Sequence, residues 1–72
     1  MTESEHLYRV LNRLHVHYPQ WRFGQLVCNV AMWAKGPTET AAWDVSDSEL
    51  LGAAEAHLEQ LEHDESVRHQ TV

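Results

Sequence analysis

Three segments with a helical spacing of apolar residues, separated by two proline-containing breaks, constrain the fold of this chain most strongly. Pro19 disfavours helical geometry at the residue before it, and Gly36-Pro37 has the residue order that commonly ends a helix. With 72 residues, the chain has room for a single domain. The links are short, which favours antiparallel neighbours. The pattern therefore predicts an all-α, three-helix domain with helices at roughly 3–18, 20–35 and 46–62.

The first and third segments each combine one apolar stripe with a polar start. Thr2 or Ser4 can cap the first helix, and Ser46 and Glu49 have the spacing of a capping box for the third. The stripes consist of Leu7, Val10, Leu11, Leu14 and Tyr18 in the first segment, and of Leu50, Leu51, Ala54, Leu58 and Leu61 in the third. Each of these helices is expected to bury one face.

The second segment has a broader apolar arc, which predicts that it is the most buried helix and is covered by both neighbours. Gly24 is expected in its first turn, where the missing side chain permits another backbone to approach closely. Cys28 lies in the middle of this apolar run, and we expect it to be a small buried side chain. The arc contains Phe23, Leu26, Val27, Val30, Ala31, Trp33 and Ala34.

Two further segments have no helical period. The loop at 36–45 is expected to hold a short extended piece around 42–45, where Trp43 and Val45 alternate with a polar residue. From His63 onward the apolar period stops. The prediction is a folded domain over residues 1–62 and a disordered polar tail over 63–72.

Charge is distributed unevenly along the chain. The first 35 residues carry four bases against two acids, whereas the remainder carries nine acids against Arg68 alone, for a net charge of −6. Residues 6–38 contain no acid. One interpretation of this stretch is a basic face for nucleic acid or for an acidic partner. The simpler interpretation, which we favour, is that the two halves attract each other or that the third helix is a solvated acidic surface.

The sequence lacks the constellations that carry catalysis or metal binding. Six histidines are present, but none has the helical i, i+4 spacing of zinc ligands, and Cys28 has no second cysteine. No nucleophile motif or phosphate-binding glycine loop occurs. We therefore expect no enzyme activity, no metal and no cofactor. With one cysteine and no long apolar run, the expected location is cytoplasmic, without a membrane span.

The candidate site residues lie at the start of the second helix. Arg22, Gln25 and Asn29 form a polar ridge at i, i+3 and i+7, and Trp21 precedes them. This ridge is either a structural clasp, with Arg22 paired to Asp44 or Asp47, or a recognition surface for a partner. Tryptophan beside arginine is typical of binding hot spots. Trp21 is equally compatible with a lid on the bundle, whereas Trp33 and Trp43 are expected in the core.

Two short motifs resemble a group of short uncharacterised bacterial and phage-encoded proteins. The first runs from Tyr18 to Val27 and has the form P-x-x-R-(apolar)-G-Q-(apolar)₂, and the second is Asp47-Ser48-Glu49-Leu50 at a helix start. The likeness covers roughly residues 7–58. It departs at 43–47, where similar chains have an aromatic F-Y-(I/V)-E-D stretch. The resemblance implies a helical fold and transfers no activity.

These observations predict a non-enzymatic protein-interaction or regulatory module with an unknown protein partner, for which a homodimer is one option. The alternative is a nucleic-acid-binding helical domain that uses residues 6–38. The net charge of −6 and the acidic third helix make nucleic acid the less favoured partner.

Overall fold

The computed structural model describes residues 2–70, with side chains from residue 2 to residue 64. Its elements are α1 (Glu3–His17), α2 (Phe23–Lys35), the short α3 (Ala41–Asp44) and α4 (Asp47–Gln70). Over these described residues the fold is helical and contains no strand. The predicted all-α class is confirmed, and three long helices form the domain with one short helix added.

The ends of α1 follow the predicted local chemistry. Thr2 is the N-cap, and its hydroxyl oxygen accepts a hydrogen bond from the Glu5 backbone N–H at 3.2 Å. The helix ends at His17, and Tyr18 leaves helical geometry directly before Pro19.

The start of α2 lies three residues later than predicted. Residues 19–21 form a turn in which the Trp21 N–H donates to the Tyr18 carbonyl at 3.1 Å. Arg22 is the N-cap, and its backbone N–H donates to the Gln25 side-chain oxygen at 2.9 Å. At the other end, Gly36 has a φ of 98°, a left-handed conformation that favours glycine.

The expected extended piece around 42–45 is wrong, because Ala41–Asp44 is helical. Backbone bonds close this turn locally, with the Asp44 and Val45 N–H groups donating to the carbonyls of Thr40 and Ala41. The Thr40 hydroxyl adds a bond to the Asp44 carboxylate at 2.9 Å. A lone strand would leave these backbone groups unpaired, whereas a helical turn satisfies them within the segment. It also buries Ala41.

The capping box at the start of α4 is confirmed. The Ser46 N–H donates to Glu49 Oε1 at 3.0 Å, and the Glu49 N–H donates to Ser46 Oγ at 3.1 Å. The helix continues to Gln70, beyond the predicted end at 62. The prediction ended the helix where the apolar stripe ends, but the backbone hydrogen bonds of a helix do not require such a stripe. Residues 63–70 of the predicted tail thus continue α4, and residues 71–72 lie outside the described residues.

The core is aliphatic and centres on α4. Both α1 and α2 pack mainly against α4, α3 packs against α2, and α1 meets α2 only sparsely. The expectation that the second helix is covered by both neighbours is therefore wrong, since the stripe of α1 faces α4 instead. The buried residues are Leu7, Val10, Leu11, Leu14, Leu26, Val30, Ala31, Ala41, Leu50, Ala54 and Leu58.

Side-chain pairs give the helix directions. His6 and Arg13 of α1 meet Glu55 and Glu62 of α4 in the same chain order, so these two helices run parallel. Lys35, at the end of α2, pairs with Glu49 near the start of α4 at 3.0 Å. Since α1 and α2 are joined by a short turn, the arrangement is an up-down-up bundle.

Candidate interaction surface

Every tryptophan, tyrosine and phenylalanine of the chain lies outside the buried core. Trp43 is 89% exposed and Trp33 is 41% exposed, so their expected core placement is wrong. Leucine, valine and alanine side chains fill the space between the helices, and no indole ring is among the buried residues. The chain therefore places all of its largest side chains at or near the surface.

Trp21 is held in position by the turn between α1 and α2. Its ring stacks on Tyr18 with 4.1 Å between centroids and an angle of 6°. The His15 Nε2–H donates to the Trp21 carbonyl oxygen at 2.7 Å. Both contacts are made within the free chain, so a partner that touched this indole would not have to order it.

Trp21 forms one end of a shallow, open groove along the outer side of α2. This groove, called the α2 groove below, has a volume of about 440 Å³ and is lined by Trp21, Gly24, Gln25, Cys28 and Asn29. Three of the four predicted site residues thus lie together. The fourth, Arg22, caps the helix beside the groove and does not line it.

The predicted clasp between Arg22 and Asp44 or Asp47 is not formed. Among residues 2–64, Arg22 has no ion pair, and Asp44 accepts its hydrogen bond from Thr40. The reason is helix length: Arg22 precedes α2, whereas both aspartates follow it. Thirteen helical residues separate the two ends by about 20 Å. The Arg22 guanidinium is consequently exposed and available.

Cys28 is exposed, contrary to the expectation that it is buried. The burial of Leu26, Val30 and Ala31 turns Gly24 and Cys28 outward, one helical turn apart. No residue from Phe23 to Ala34 is charged, which is unusual for a helix that exposes one side to water. The apolar arc predicted burial of Cys28, whereas the structure leaves the side of α2 that carries Gly24 and Cys28 exposed.

A second aromatic group lies at the junction of all three long helices. The Tyr18 hydroxyl and His57 Nε2 are 2.7 Å apart, and the other face of this region is covered by Trp33, whose ring stacks on His57 at 4.0 Å. Burial lowers the pKa of His57 below the ordinary value of 6.5, and the charge of His17 lowers it further. In the neutral tautomer that carries its proton on Nδ1, Nε2 accepts this hydrogen bond from the Tyr18 hydroxyl. No short-range sequence pattern indicates this group, because its members are far apart in the chain.

The basic residues of the acid-free stretch are partly engaged within the fold. Arg13 binds Glu62 with both carboxylate oxygens, at 2.6 and 3.0 Å, and Lys35 binds Glu49 at 3.0 Å. Two of the four basic residues in the first half therefore face acids of the second half. This outcome agrees with the favoured interpretation, in which the two halves attract each other.

The described residues contain no group of three or more metal-ligating side chains arranged to hold an ion. None of the helices among residues 2–70 combines the length and the apolar character that a bilayer span requires. Comparison with protein-family models, with curated proteins and with solved structures finds no match. The resemblance to short bacterial and phage-encoded proteins stays a prediction.

Proposed function

We propose that this chain is a non-enzymatic protein-interaction module that binds a protein partner through the α2 groove. The observation that supports this most directly is the separation of an aliphatic core from an aromatic surface, with no aromatic ring among the buried residues. Aromatic side chains contribute strongly to stability when they are buried. Tyr18 and Trp21 are half-buried against the core, and the other four aromatic side chains are exposed. This exposure in so small a domain is understandable if a partner covers some of the rings.

The α2 groove has the composition expected of a contact surface. Charged residues are depleted from the centres of protein interfaces, and tryptophan and arginine are enriched among the residues that dominate binding. The groove offers an uncharged floor of Gly24, Gln25, Cys28 and Asn29 and a fixed indole at one end. Beside it lies the Arg22 guanidinium, which has no ion pair among residues 2–64. We also propose a reducing location such as the cytoplasm, because Cys28 is exposed and has no intrachain partner.

The alternative function, nucleic-acid binding by residues 6–38, has less support. Phosphate recognition depends on several clustered, available cations. In this fold Arg13 and Lys35 are occupied by Glu62 and Glu49, which leaves Arg9 and Arg22 as the arginines of this stretch without an ion pair among the described residues.

Affinity capture with the purified chain tests the proposed function. The Cys28→Lys variant introduces a charge into the groove at an exposed position, and Asn12→Lys introduces the same charge on the exposed side of α1. We expect a protein captured by the wild type and by Asn12→Lys to be lost with Cys28→Lys and with Trp21→Ala. After purification, the captured protein should bind directly to the wild-type chain.

Equal capture by all four chains would contradict the proposal. The absence of any captured protein would also contradict it if the chain does not bind a second copy of itself through the groove. Circular dichroism and thermal unfolding of each variant separate loss of binding from loss of folding, which matters most for Trp21 because its ring stacks on Tyr18.

A further inference from the structure

We propose that the occupant of the α2 groove is the α2 helix of a second copy of this chain, in an antiparallel pair with a two-fold axis near Cys28. This inference deepens the proposed function and depends on it. It is supported by two independent properties of the surface: the shape of its centre and the distribution of charge at its ends.

The centre of the groove permits two helices to approach closely. Gly24 has no side chain, and a Cβ built there would meet nothing within 4 Å, so the space above it is open. Cys28 follows one turn later with a small exposed side chain. Small residues at this spacing let helix backbones come together. In an antiparallel pair centred on Cys28, Gly24 of one copy faces the turn that contains Met32 of the other.

The chain at the two ends of α2 differs in charge, although α2 itself ends on Lys35. Arg22 stands at the N-terminal end without an ion pair among the described residues. Beyond the C-terminal end lie Glu39, Asp44 and Asp47, while the base of that region, Lys35, is already paired with Glu49. The uncharged part of the helix, residues 23–34, is about 18 Å long.

This arrangement is self-complementary in one orientation only. An antiparallel pair brings each Arg22 to the acidic end of the other copy, whereas a parallel pair would bring like charges together. A two-fold axis also closes the assembly at two copies, because both use the same patch. An unrelated partner would need to supply an acidic end and a smooth uncharged helix. A second copy supplies both.

The single cysteine makes the geometry directly measurable. A two-fold axis near Cys28 brings two thiols within reach of each other, and diamide oxidises such a pair to one disulfide by accepting two electrons and two protons. We expect the purified chain to elute with twice its 8.3 kDa mass by light scattering under reducing conditions, and to cross-link rapidly with diamide. The control is Cys28→Ser combined with Val16→Cys, which moves the thiol to an exposed position on α1.

We expect cross-linking of the wild type to be at least about tenfold faster than that of this control. Equal rates would show that the thiols meet by random collision, and would overturn the proposed geometry. A mass of 8.3 kDa at high protein concentration would overturn the dimer itself.

Charge reversal tests the ends of the pair. Arg22→Glu and Arg9→Glu change the net charge equally, and both side chains are exposed and lack an ion pair among the described residues. We expect Arg22→Glu to weaken dimerisation about tenfold or more and Arg9→Glu to leave it nearly unchanged. Equal effects would show that only net charge matters, which contradicts the proposed contact.

The two proposals fail differently. If the chain is monomeric but Cys28→Lys and Trp21→Ala lose a captured protein, the groove binds another protein and only the dimer is wrong. If the chain is monomeric and no captured protein depends on the groove, both proposals are wrong.

Discussion

The contact between α1 and α4 and the α2 groove are two long helical surfaces with opposite chemistry. Between α1 and α4, polar side chains pair beside the buried leucines. The three pairs are His6 with Glu55 at 3.3 Å, Arg13 with Glu62, and Ser48, which donates to Glu3 at 2.8 Å. The α2 groove has no charged residue along its floor and no covering helix. The charges of the contact between α1 and α4 are paired within the chain, so this contact needs no partner. The α2 groove is open and uncharged. This difference is what makes the groove the candidate contact.

The largest expected effect is a difference in stability between substitutions on the buried side and on the exposed side of α2. Leu26 is fully buried against the other helices, and Cys28, two residues later, is exposed. Leu26→Ala should lower the free energy of unfolding by about 2–5 kcal/mol, because it leaves a cavity in the core. Cys28→Ala should change it by no more than about 0.5 kcal/mol. Urea denaturation at matched protein concentration measures both, and similar losses would contradict the assignment of the groove as an outer surface.

A pair of glycine substitutions should stabilise the monomer while affecting the groove differently. Gly24 and Gly52 both lack positive φ and have open space at the Cβ position. Replacing either with alanine should raise the free energy of unfolding of the monomer by about 0.5–1 kcal/mol, because alanine restricts the unfolded chain.

Only the substitution at Gly24 adds a side chain to the groove. Light scattering over a dilution series should show weaker dimerisation for Gly24→Ala and unchanged dimerisation for Gly52→Ala. Unchanged dimerisation in both variants would mean that the groove does not require close approach of two backbones.

A smaller effect is expected from the ion pair between α1 and α4. Arg13 and Glu62 are both largely exposed, so a double-mutant cycle with alanine should give a coupling of about 0.2–1 kcal/mol, decreasing at high salt. The cycle between Arg9 and Glu62 is the matched control and should give a coupling near zero. A large, salt-independent coupling would show that the contact is less exposed to water than the structure indicates.

The smallest effect concerns pH. The folded state lowers the pKa of His57, mainly through burial, so the unfolded chain takes up a proton more readily. The contribution of the neutral His57 ring to the free energy of unfolding is fully present above about pH 6.5. It is lost as the pH falls through the lowered pKa of the folded state.

The His57→Phe variant retains a ring for Trp33 to stack on but cannot bind this proton. Between pH 7.5 and pH 5, urea denaturation should show a steeper loss of stability for the wild type than for His57→Phe. The exposed His63→Phe variant is the control and should follow the wild type. Identical pH dependence in all three chains would contradict the role assigned to His57.

The parts of the fold that depend on neighbouring residues were predictable. Pro19 ended α1, Gly36 ended α2, and Ser46 with Glu49 formed the capping box of α4, because each of these signals acts through backbone groups within one turn. The turn at 41–44 was missed because alternation of Trp43 and Val45 suggested an extended strand. In a segment with no strand to pair with, local hydrogen bonds favoured a helical turn instead.

The candidate site was only partly predictable for the same reason. Trp21, Gln25 and Asn29 could be grouped from their spacing, since they lie within about two turns of one another. The exposure of Cys28, Trp33 and Trp43 could not, because apolar character alone does not tell which side of a helix finds a neighbour. Of the two interpretations of Arg22, the clasp required an aspartate that lies at the other end of its helix, and the recognition surface stays a prediction.

The amino-acid order by itself determined that this chain is helical, where α1 and α4 begin and how α1 and α2 end, because those features follow from bonds made within a few residues. Only the tertiary structure decided that α4 is central, that the aromatic side chains stay outside the core and that one side of α2 remains uncovered. The physical reason is the narrow space between helices: it is filled by leucine, valine and alanine, and the larger rings are left at the surface.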